Sequence, residues 1–434
     1  MPRSHDDEAA NGAVSRPGQV VDSPRSLLIV LVLSVVLFQR IGVPLGGFGQ
    51  VPVALLAPLT LLGYGLASGL VVPDRTRMRL YVTGTGTLVL LTLIALARGQ
   101  RPSLLSVMFL VAIYAFATVR VPALTTADVE AVLDVVVRVM LIAGCVGLLQ
   151  MAVQLLGVPY EDWPARAVPA SILIEGYNTG DPIHYGSPYY RSNGIAFLEP
   201  SFLSYFLGLA CVIALHRSRS MLVISVLLLS LLPTLAGNGV VVLLAGVAVM
   251  LLSKRRRRLK VLVPPVGLAV CLAVITPLGS TFVGRATEVS EQGSSSSLRL
   301  VEPYVRVMPA TLDDLPALLL GAGAGAATDF LDSLGIDGLL APVVPKLLME
   351  YGVVGALLFL LFLLWCLCAG ALTAERPWGV GLLFNYLLLN AALLQETIAL
   401  TTIFFLVLLR TDREDPSLMY RGPAGPPEGA VEAP

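Results

Sequence analysis

The sequence is a series of long apolar runs separated by short polar stretches, and this pattern constrains the fold more than any other feature. Hydrophobic residues make up 56% of the chain and charged residues only 13%, whereas a soluble domain has about 25% charged residues. A helix needs roughly 20 apolar residues to cross a bilayer. The sequence therefore predicts an all-α fold, a polytopic bundle of transmembrane helices.

We predict about twelve membrane spans from the length of the apolar runs. The seventh and eighth runs are short, and they could instead form one helix broken near Pro233 and Gly237. The twelve predicted spans are residues 27–43, 51–69, 80–97, 104–119, 135–157, 196–215, 220–235, 239–252, 261–279, 343–370, 379–395 and 398–410.

Two basic clusters decide between these alternatives. One cluster, at 216–219, precedes the two short runs, and the other, at 254–260, follows them. The positive-inside rule places both clusters in the cytoplasm. An even number of crossings must then separate them, so two spans are predicted rather than one. The same rule places both termini in the cytoplasm.

This topology divides the chain into three parts. Residues 1–26 and 411–434 are rich in Pro, Gly, Ala and charge, which favours disordered cytoplasmic tails. Residues 27–410 form the membrane domain, with long outer loops at 158–195 and 280–342 that we expect to carry short helices. The five cysteines all lie in apolar runs, so we expect no metal site. The 29 basic and 29 acidic residues cancel, so the net charge says nothing about partners. We expect no nucleic-acid partner.

Residues 190–201, where the first outer loop meets the sixth span, contain two candidate catalytic residues. Arg191 could bind phosphate oxygens through its two-pronged guanidinium, or it could be an interfacial arginine that extends its charge to water. Glu199 precedes Pro200 at the start of the span. It could act as a general base, or it could simply be an acid that suits the helix dipole.

The second outer loop contains the other charged candidates. Arg299 follows a run of serines, and with Glu302 and Arg306 it has the i, i+3, i+7 spacing of one helical face. That face would present a cation, an anion and a second cation either to a substrate or to solvent. A helix that begins at Pro303 would break this face.

His184 is the only histidine in either outer loop, and Tyr189 and Tyr190 follow it closely. The histidine is either a surface residue or a substrate contact, and the tyrosines could form an interfacial belt or stack on sugar rings. The glycine run 321–325 lacks the strand and the Lys-Ser/Thr pair of a nucleotide-phosphate loop. We therefore expect neither nucleotide binding nor a cofactor.

The order of an arginine, a glycine and Glu-Pro-Ser before a span, with Ser297–Leu300 in the last large loop, resembles a family of bacterial integral-membrane glycosyltransferases. These are the O-antigen and exopolysaccharide polymerases and the O-antigen ligases. The stretch at 320–325 matches a Leu-Gly-x-Gly-x-Gly element of the family, which implies a tight turn, and Lys346–Gly355 also matches. The resemblance covers roughly residues 27–410.

The resemblance implies an enzyme of the bacterial cytoplasmic (inner) membrane that takes a polyprenyl-diphosphate-linked glycan as donor. Arg191, Arg299 and Glu199 would be catalytic. Membrane lipid would surround the protein, and a flippase and a chain-length regulator are possible partners. Ligases of this family carry a histidine in the last large loop, and none exists in 280–342, so a polymerase is favoured. The substrate-binding residues would be Arg306, Glu302, His184, Tyr189 and Tyr190.

Two other functions fit a polytopic chain. A transporter, such as a flippase of lipid-linked sugar, would keep polar or broken helices at mid-membrane, whereas the charges here collect in the outer loops, which favours an enzyme. A cell-wall polymerase of the shape, elongation and division type would use an aspartate in its large outer loop. The surrounding motifs of that family are not recognisable here. The available aspartates are Asp313, Asp314, Asp329, Asp332 and Asp337.

Overall fold

The computed structural model describes residues 21, 23–44, 50–122, 124–177, 179–183, 187–253, 256–275, 301–312, 315–335, 340–371, 376–389 and 393–411. Within them the chain is mostly helical. The helices are α1 (Pro24–Leu37), α2 (Val53–Ala67), α3 (Arg75–Ala97), α4 (Leu104–Ala115), α5 (Thr126–Leu155), α6 (Trp163–Ala167), α7 (Pro200–His216), α8 (Met221–Leu229), α9 (Gly237–Leu252), α10 (Val263–Ile275), α11 (Glu302–Leu312), α12 (Leu315–Leu320), α13 (Ala326–Ser333), α14 (Val343–Ala371), α15 (Trp378–Phe384) and α16 (Glu396–Ile403). The helices α15 and α16 continue as π-helical turns over Asn385–Leu389 and Phe404–Leu408.

Within the described residues, three helices are long and apolar enough to cross a membrane by length and composition: α3, α5 and residues Val343–Cys368 of α14. Further apolar helices in the described part are 10–17 residues long, which is short for a straight crossing of the roughly 30 Å hydrocarbon core. The seventh and eighth predicted spans are two separate helices, α8 and α9. The turn between them includes Leu235 in the left-handed region, with φ of 46°.

The described residues also include four short strands, which the all-α prediction did not contain. Strand β1 (Gly42–Pro44) pairs antiparallel with β2 (Gln50–Pro52), and β3 (Val72–Pro73) pairs with β4 (Val119–Arg120). The first predicted span, 27–43, is therefore too long: α1 ends at Leu37 and the chain turns into a hairpin. Proline and glycine at these positions disfavour a helix and suit short edge strands.

The fifth predicted span, 135–157, is too short at its start. Helix α5 begins at Thr126 because Thr125 and Asp128 form a capping box, in which each side chain accepts a hydrogen bond from the other residue's amide. The predicted short helices of the outer loops are also present. Helix α6 lies in the first loop, and α11, α12 and α13 lie in the second.

Helix α7 lies at the centre of the described bundle, because nearly every residue from Pro200 to Leu215 is buried. It crosses α9 so closely that a Cβ on Gly208 would lie 2.1 Å from the carbonyl oxygen of Gly239. Small residues allow such an approach between apolar helices, where dispersion contacts replace the hydrophobic effect as the main attraction. Glu199, which precedes α7, is therefore held at the edge of the core.

Many contacts between arginines and partners far away in sequence lie at one end of the bundle, which we call the basic end. Arg217, after α7, forms an ion pair with Asp134 of α5 at 3.2 Å. Arg410, after α16, donates to the carbonyl oxygen of Cys366 near the end of α14 at 2.5 Å. The predicted topology places all of these segments on one side of the membrane.

The opposite end, which we call the loop end, gathers the first outer loop, the α3–α4 turn and the starts of α7, α14 and α16. Arg98, after α3, donates to the carbonyl oxygen of Gly321 at 3.2 Å. The Tyr177 hydroxyl of the first loop donates to the Oε1 of Gln395 at 2.8 Å. Candidate site residues from distant parts of the chain therefore come together at this end.

Candidate functional site at the loop end

Two glutamines on the last turns of α5 hold the 190–195 segment in place. The Oε1 of Gln154 accepts the amide of Tyr190 at 2.7 Å, and its Nε2 donates to the carbonyl oxygen of the same tyrosine at 3.1 Å. The Oε1 of Gln150 accepts the amides of Asn193 and Gly194, each at 3.2 Å. The two glutamine side chains thus supply hydrogen-bond partners to the backbone of this segment, as a neighbouring strand does in a sheet.

The segment then turns sharply towards α7. Gly194 and Ile195 both have positive φ, of 61° and 66°, and a branched residue in this region is strained. Two hydrogen bonds stabilise the turn: the Ile195 amide donates to the Oδ1 of Asn193 at 3.0 Å, and Arg40 donates to the Ile195 carbonyl oxygen at 3.0 Å. Backbone strain of this kind is often found at functional sites.

Arg40 also forms a two-pronged ion pair with Asp162 of the first outer loop, at 2.8 and 2.5 Å. Burial of Asp162 opposes its ionisation, but the hydrogen bonds and charge of Arg40 outweigh this effect and lower the pKa of the carboxyl. Burial raises the pKa of nearby Tyr160 to about 12, and the charge of Asp162 contributes to this rise. Arg40 was not among the predicted site residues, although a lone arginine near the end of an apolar run is a readable signal.

Arg191 lies at the loop end, as expected, and it already has an anionic partner. Its guanidinium pairs with Asp181 at 2.7 Å, and its backbone amide donates to the Asp181 carbonyl oxygen at 2.8 Å. The side chain is only 15% exposed. Its Nε is buried and makes no hydrogen bond within the described residues. A ligand oxygen could therefore pair with Arg191 by replacing Asp181.

Glu199 is the N-cap residue of α7, with Pro200 in the first turn, as the sequence predicts. Its side chain makes no capping hydrogen bond with the helix. Its Oε2 instead accepts the Ser201 hydroxyl at 3.0 Å, and the residue is half-buried. The carboxylate is thus held by a neighbouring hydroxyl and remains partly accessible from the loop end.

A second glutamate, Glu396, lies near the same loop and was missed by the sequence analysis. It is the first residue of α16 and is 6% exposed. Burial raises the pKa of Tyr177, and the negative charges of Glu396 and Glu199 raise it further. Both carboxylates therefore lie within electrostatic range of this hydroxyl. Its position between the predicted spans 379–395 and 398–410 is a signal in the sequence that could have identified Glu396 as a candidate.

The predicted sugar-stacking tyrosines are largely occupied by protein contacts. Tyr189 packs against Met151, Ile183 and Leu235. One face of Tyr190 stacks on Tyr160, with ring centroids 4.9 Å apart. At most one face of Tyr190 remains for a sugar ring. His184 lies outside the described residues.

In the second outer loop, Glu302 and Arg306 pair with each other at 2.6 Å on the surface of α11. The helix begins at Glu302 and includes Pro303 in its first turn, where proline is tolerated. Glu302 and Arg306 therefore share a helical face, whereas the predicted extension of this face to Arg299 is not tested by the described residues. Arg299 lies outside the described residues, as do Asp313, Asp314 and Asp337. Asp329 and Asp332 are exposed on α13.

The glycine run and the Lys346–Gly355 element form one unit. Gly321, Gly323 and Gly325 all have positive φ, so the expected tight turn is present. Lys346 and Glu350 form the expected i, i+4 pair at 2.5 Å, with side chains 8% and 1% exposed. Gly352 interrupts the helical backbone of α14 with φ of 63°, and the Leu319 backbone leaves no room for a side chain there.

Among its charged residues, the loop end thus holds Arg40, Arg191, Glu199 and Glu396 on elements that are far apart in sequence. A scan against models of known families, a search of curated proteins and a search of solved structures each found no match to the chain.

Proposed function

We propose that the chain is a polysaccharide polymerase that joins lipid-diphosphate-linked glycan repeat units on the outer face of the bacterial cytoplasmic membrane. The observation that carries the proposal is the anchored 190–200 segment. Two glutamines and Arg40 fix its backbone, so that Arg191 is held against Asp181 and Glu199 is held near Tyr177. Preorganised charges of this kind are what a transferase needs.

The proposed reaction uses these charges in separate roles. The acceptor hydroxyl attacks the anomeric carbon of the donor sugar, and the bond from that carbon to the diphosphate oxygen breaks. Arg191, with Arg299, stabilises the negative charge that develops on the departing diphosphate. Glu199 takes the proton of the acceptor hydroxyl as general base. Atoms and charge balance without a nucleotide, a metal or a redox cofactor.

Asp181 gives this mechanism a resting state. The carboxylate occupies Arg191 at 2.7 Å, and a diphosphate, which carries more charge, would compete for the same guanidinium. Burial of the arginine in a low-dielectric site strengthens either pairing. We propose that donor binding exchanges Asp181 for the diphosphate.

The proposed topology has twelve spans and cytoplasmic termini. The support is the grouping of segments: arginine contacts at the basic end join regions that this topology places inside. A cysteine at Ser187 or Ser295 should react with an impermeant maleimide added to whole cells. A cysteine at Ser218 should react only after permeabilisation. Labelling of Ser218→Cys from outside would contradict the topology.

The decisive experiment is polymer synthesis by purified protein in liposomes supplied with a lipid-linked repeat unit, with products resolved by length on a gel. Arg191→Ala should abolish chain growth, and Arg191→Lys should restore only part of it, because an ammonium cannot pair in a two-pronged manner. Arg166→Ala is the matched control, since Arg166 lies in the same loop and is 64% exposed. It should retain full activity.

The role of Glu199 is tested in the same assay. Glu199→Gln keeps the size of the side chain but cannot accept the proton, so turnover should fall on the order of 10²–10⁴-fold at unchanged protein level. Normal polymer from this variant would leave Glu199 as a helix-start residue. Wild-type protein that moves the lipid-linked unit across the bilayer without chain growth would overturn the polymerase proposal in favour of a flippase.

A further inference from the structure

A polar cavity of about 330 Å³ opens between the α3–α4 turn and the glycine turn at the loop end. Its side-chain lining consists of Gln100, Arg101 and Asp329, with Pro102 and small residues completing the wall. The three polar side chains are exposed, so the cavity opens to solvent. The proposed mechanism uses none of these residues.

Direct contacts fix the two walls relative to each other. Arg98 donates to the carbonyl oxygen of Gly321 at 3.2 Å, and the amide of Ser103 donates to the carbonyl oxygen of Ala324 at 2.7 Å. The glycine turn fits closely: a Cβ on Gly325 would lie 2.9 Å from the Cβ of Ser103. The cavity is therefore a built feature of the packing between two elements more than 200 residues apart in sequence.

A buried ion pair supports the wall that carries Asp329. Lys346 bonds Glu350 at 2.5 Å and reaches the hydroxyl of Thr328 at 3.3 Å. The backbone amides of Gly325 and Ala327 also interact with the Glu350 carboxylate. Burying two charges is costly; their pairing offsets this cost, although the Oε2 of Glu350 makes no hydrogen bond within the described residues. Here the pair connects α14 to the glycine turn and to the first turn of α13.

We propose that this cavity binds a neutral sugar unit. The lining offers one guanidinium, one carboxylate and one carboxamide, so it both donates and accepts hydrogen bonds, and sugar hydroxyls do the same. The opposite charges of Arg101 and Asp329 cancel, which disfavours a phosphate or another simple anion. The wall has little apolar surface for a lipid chain. The site extends the proposed function by supplying a place for the glycan, but binding there requires no catalysis.

The test measures binding alone. Detergent-purified protein is mixed with the methyl glycosides of glucose, galactose, mannose and N-acetylglucosamine, and contact is read by saturation-transfer NMR. At least one glycoside should bind. Asp329→Ala and Gln100→Ala should weaken its binding about tenfold or more, as expected for a lost hydrogen bond at a partly enclosed site. Ala326→Leu, which fills the cavity, should abolish it.

Asp332→Ala is the matched control, because Asp332 is exposed on the same helix as Asp329 but lies outside the cavity lining. This variant should bind the glycoside as tightly as the wild-type protein does. Glu199→Gln should also leave binding unchanged, which separates this inference from the polymerase proposal. Binding of none of the four glycosides, or binding that all three cavity variants leave intact, would overturn the inference.

Discussion

The buried pair Lys346–Glu350 allows a sharp prediction, because the same chain offers an exposed pair of the same spacing. In the buried pair the side chains are 8% and 1% exposed and lie 2.5 Å apart. In the exposed pair, Glu302–Arg306, the values are 13% and 42% at 2.6 Å. The two pairs share their i, i+4 spacing and differ strongly in burial. They also differ in the cation and in the order of acid and base along the helix, but that difference is worth only a few tenths of a kcal/mol. We therefore expect replacement of the cation by methionine to have very different consequences at the two sites.

Lys346→Met would leave the Glu350 carboxylate buried without its cation. Breaking a buried pair in this way costs about 3–5 kcal/mol of unfolding free energy. Arg306→Met should cost at most about 1 kcal/mol, because water screens and solvates an exposed pair. The double variant Lys346→Met/Glu350→Leu should recover most of the loss, since two apolar residues can replace a buried pair at little cost.

The assay is unfolding of the purified protein in mixed micelles with increasing sodium dodecyl sulfate, followed by tryptophan fluorescence. Lys346→Met should shift the midpoint strongly, the double variant should return it towards wild type, and Arg306→Met should barely move it. Equal shifts for Lys346→Met and Arg306→Met would refute the reasoning, because burial would then have no effect on the strength of the pair. A double variant as unstable as Lys346→Met would show that the pair supports the fold through contacts that leucine and methionine cannot replace.

Three further predictions follow from the geometry of single residues. Asp181→Asn should tighten binding of inorganic diphosphate to the protein, measured by calorimetry, because it frees Arg191; unchanged affinity would exclude the proposed exchange. Gly321→Ala should destabilise the protein more than Gly335→Ala in the same unfolding assay. Both glycines have positive φ, but only at Gly321 would the Cβ meet backbone, 2.3 Å from the Glu350 carbonyl oxygen. Because folding lowers the pKa of Asp162 below its ordinary value of 3.8, ionised Asp162 should stabilise the folded state. This stabilisation should be fully present above pH 3.8 and should be lost as the pH falls through the lowered pKa of the folded protein. Asp162→Asn should lack this part of the acid transition, and an unchanged acid transition in that variant would contradict the assignment.

Local features of the sequence were enough to predict the helices and several of their ends. Apolar runs predicted helices in the right places, because the polar backbone of a segment in lipid must satisfy its own hydrogen bonds. The Lys346–Glu350 pair and the start of α7 at Glu199-Pro200 were also readable, since each depends on residues within one or two helical turns. The early end of α1 was missed, because the β1–β2 hairpin depends on pairing between separate segments.

The composition of the site depended on contacts that have no local signature. Arg191 was a candidate from its position, but its partner Asp181 lies across a loop whose course only the tertiary structure defines. Arg40 and Glu396 approach the same loop from opposite ends of the chain. No periodicity in the sequence relates residues so far apart.

The sequence by itself determined that this chain is helical, that it is apolar enough to carry membrane-spanning helices, and that basic residues cluster in alternate connections between its apolar runs. These properties follow from local composition and from the cost of exposing backbone and charge to lipid. Only the tertiary structure decided which charges are paired. Packing of α14 against the glycine turn buried Glu350 beside Lys346, whereas the similar pair on α11 stayed in solvent. The free energy of a charge depends on its surroundings, and those surroundings are assembled from the whole chain.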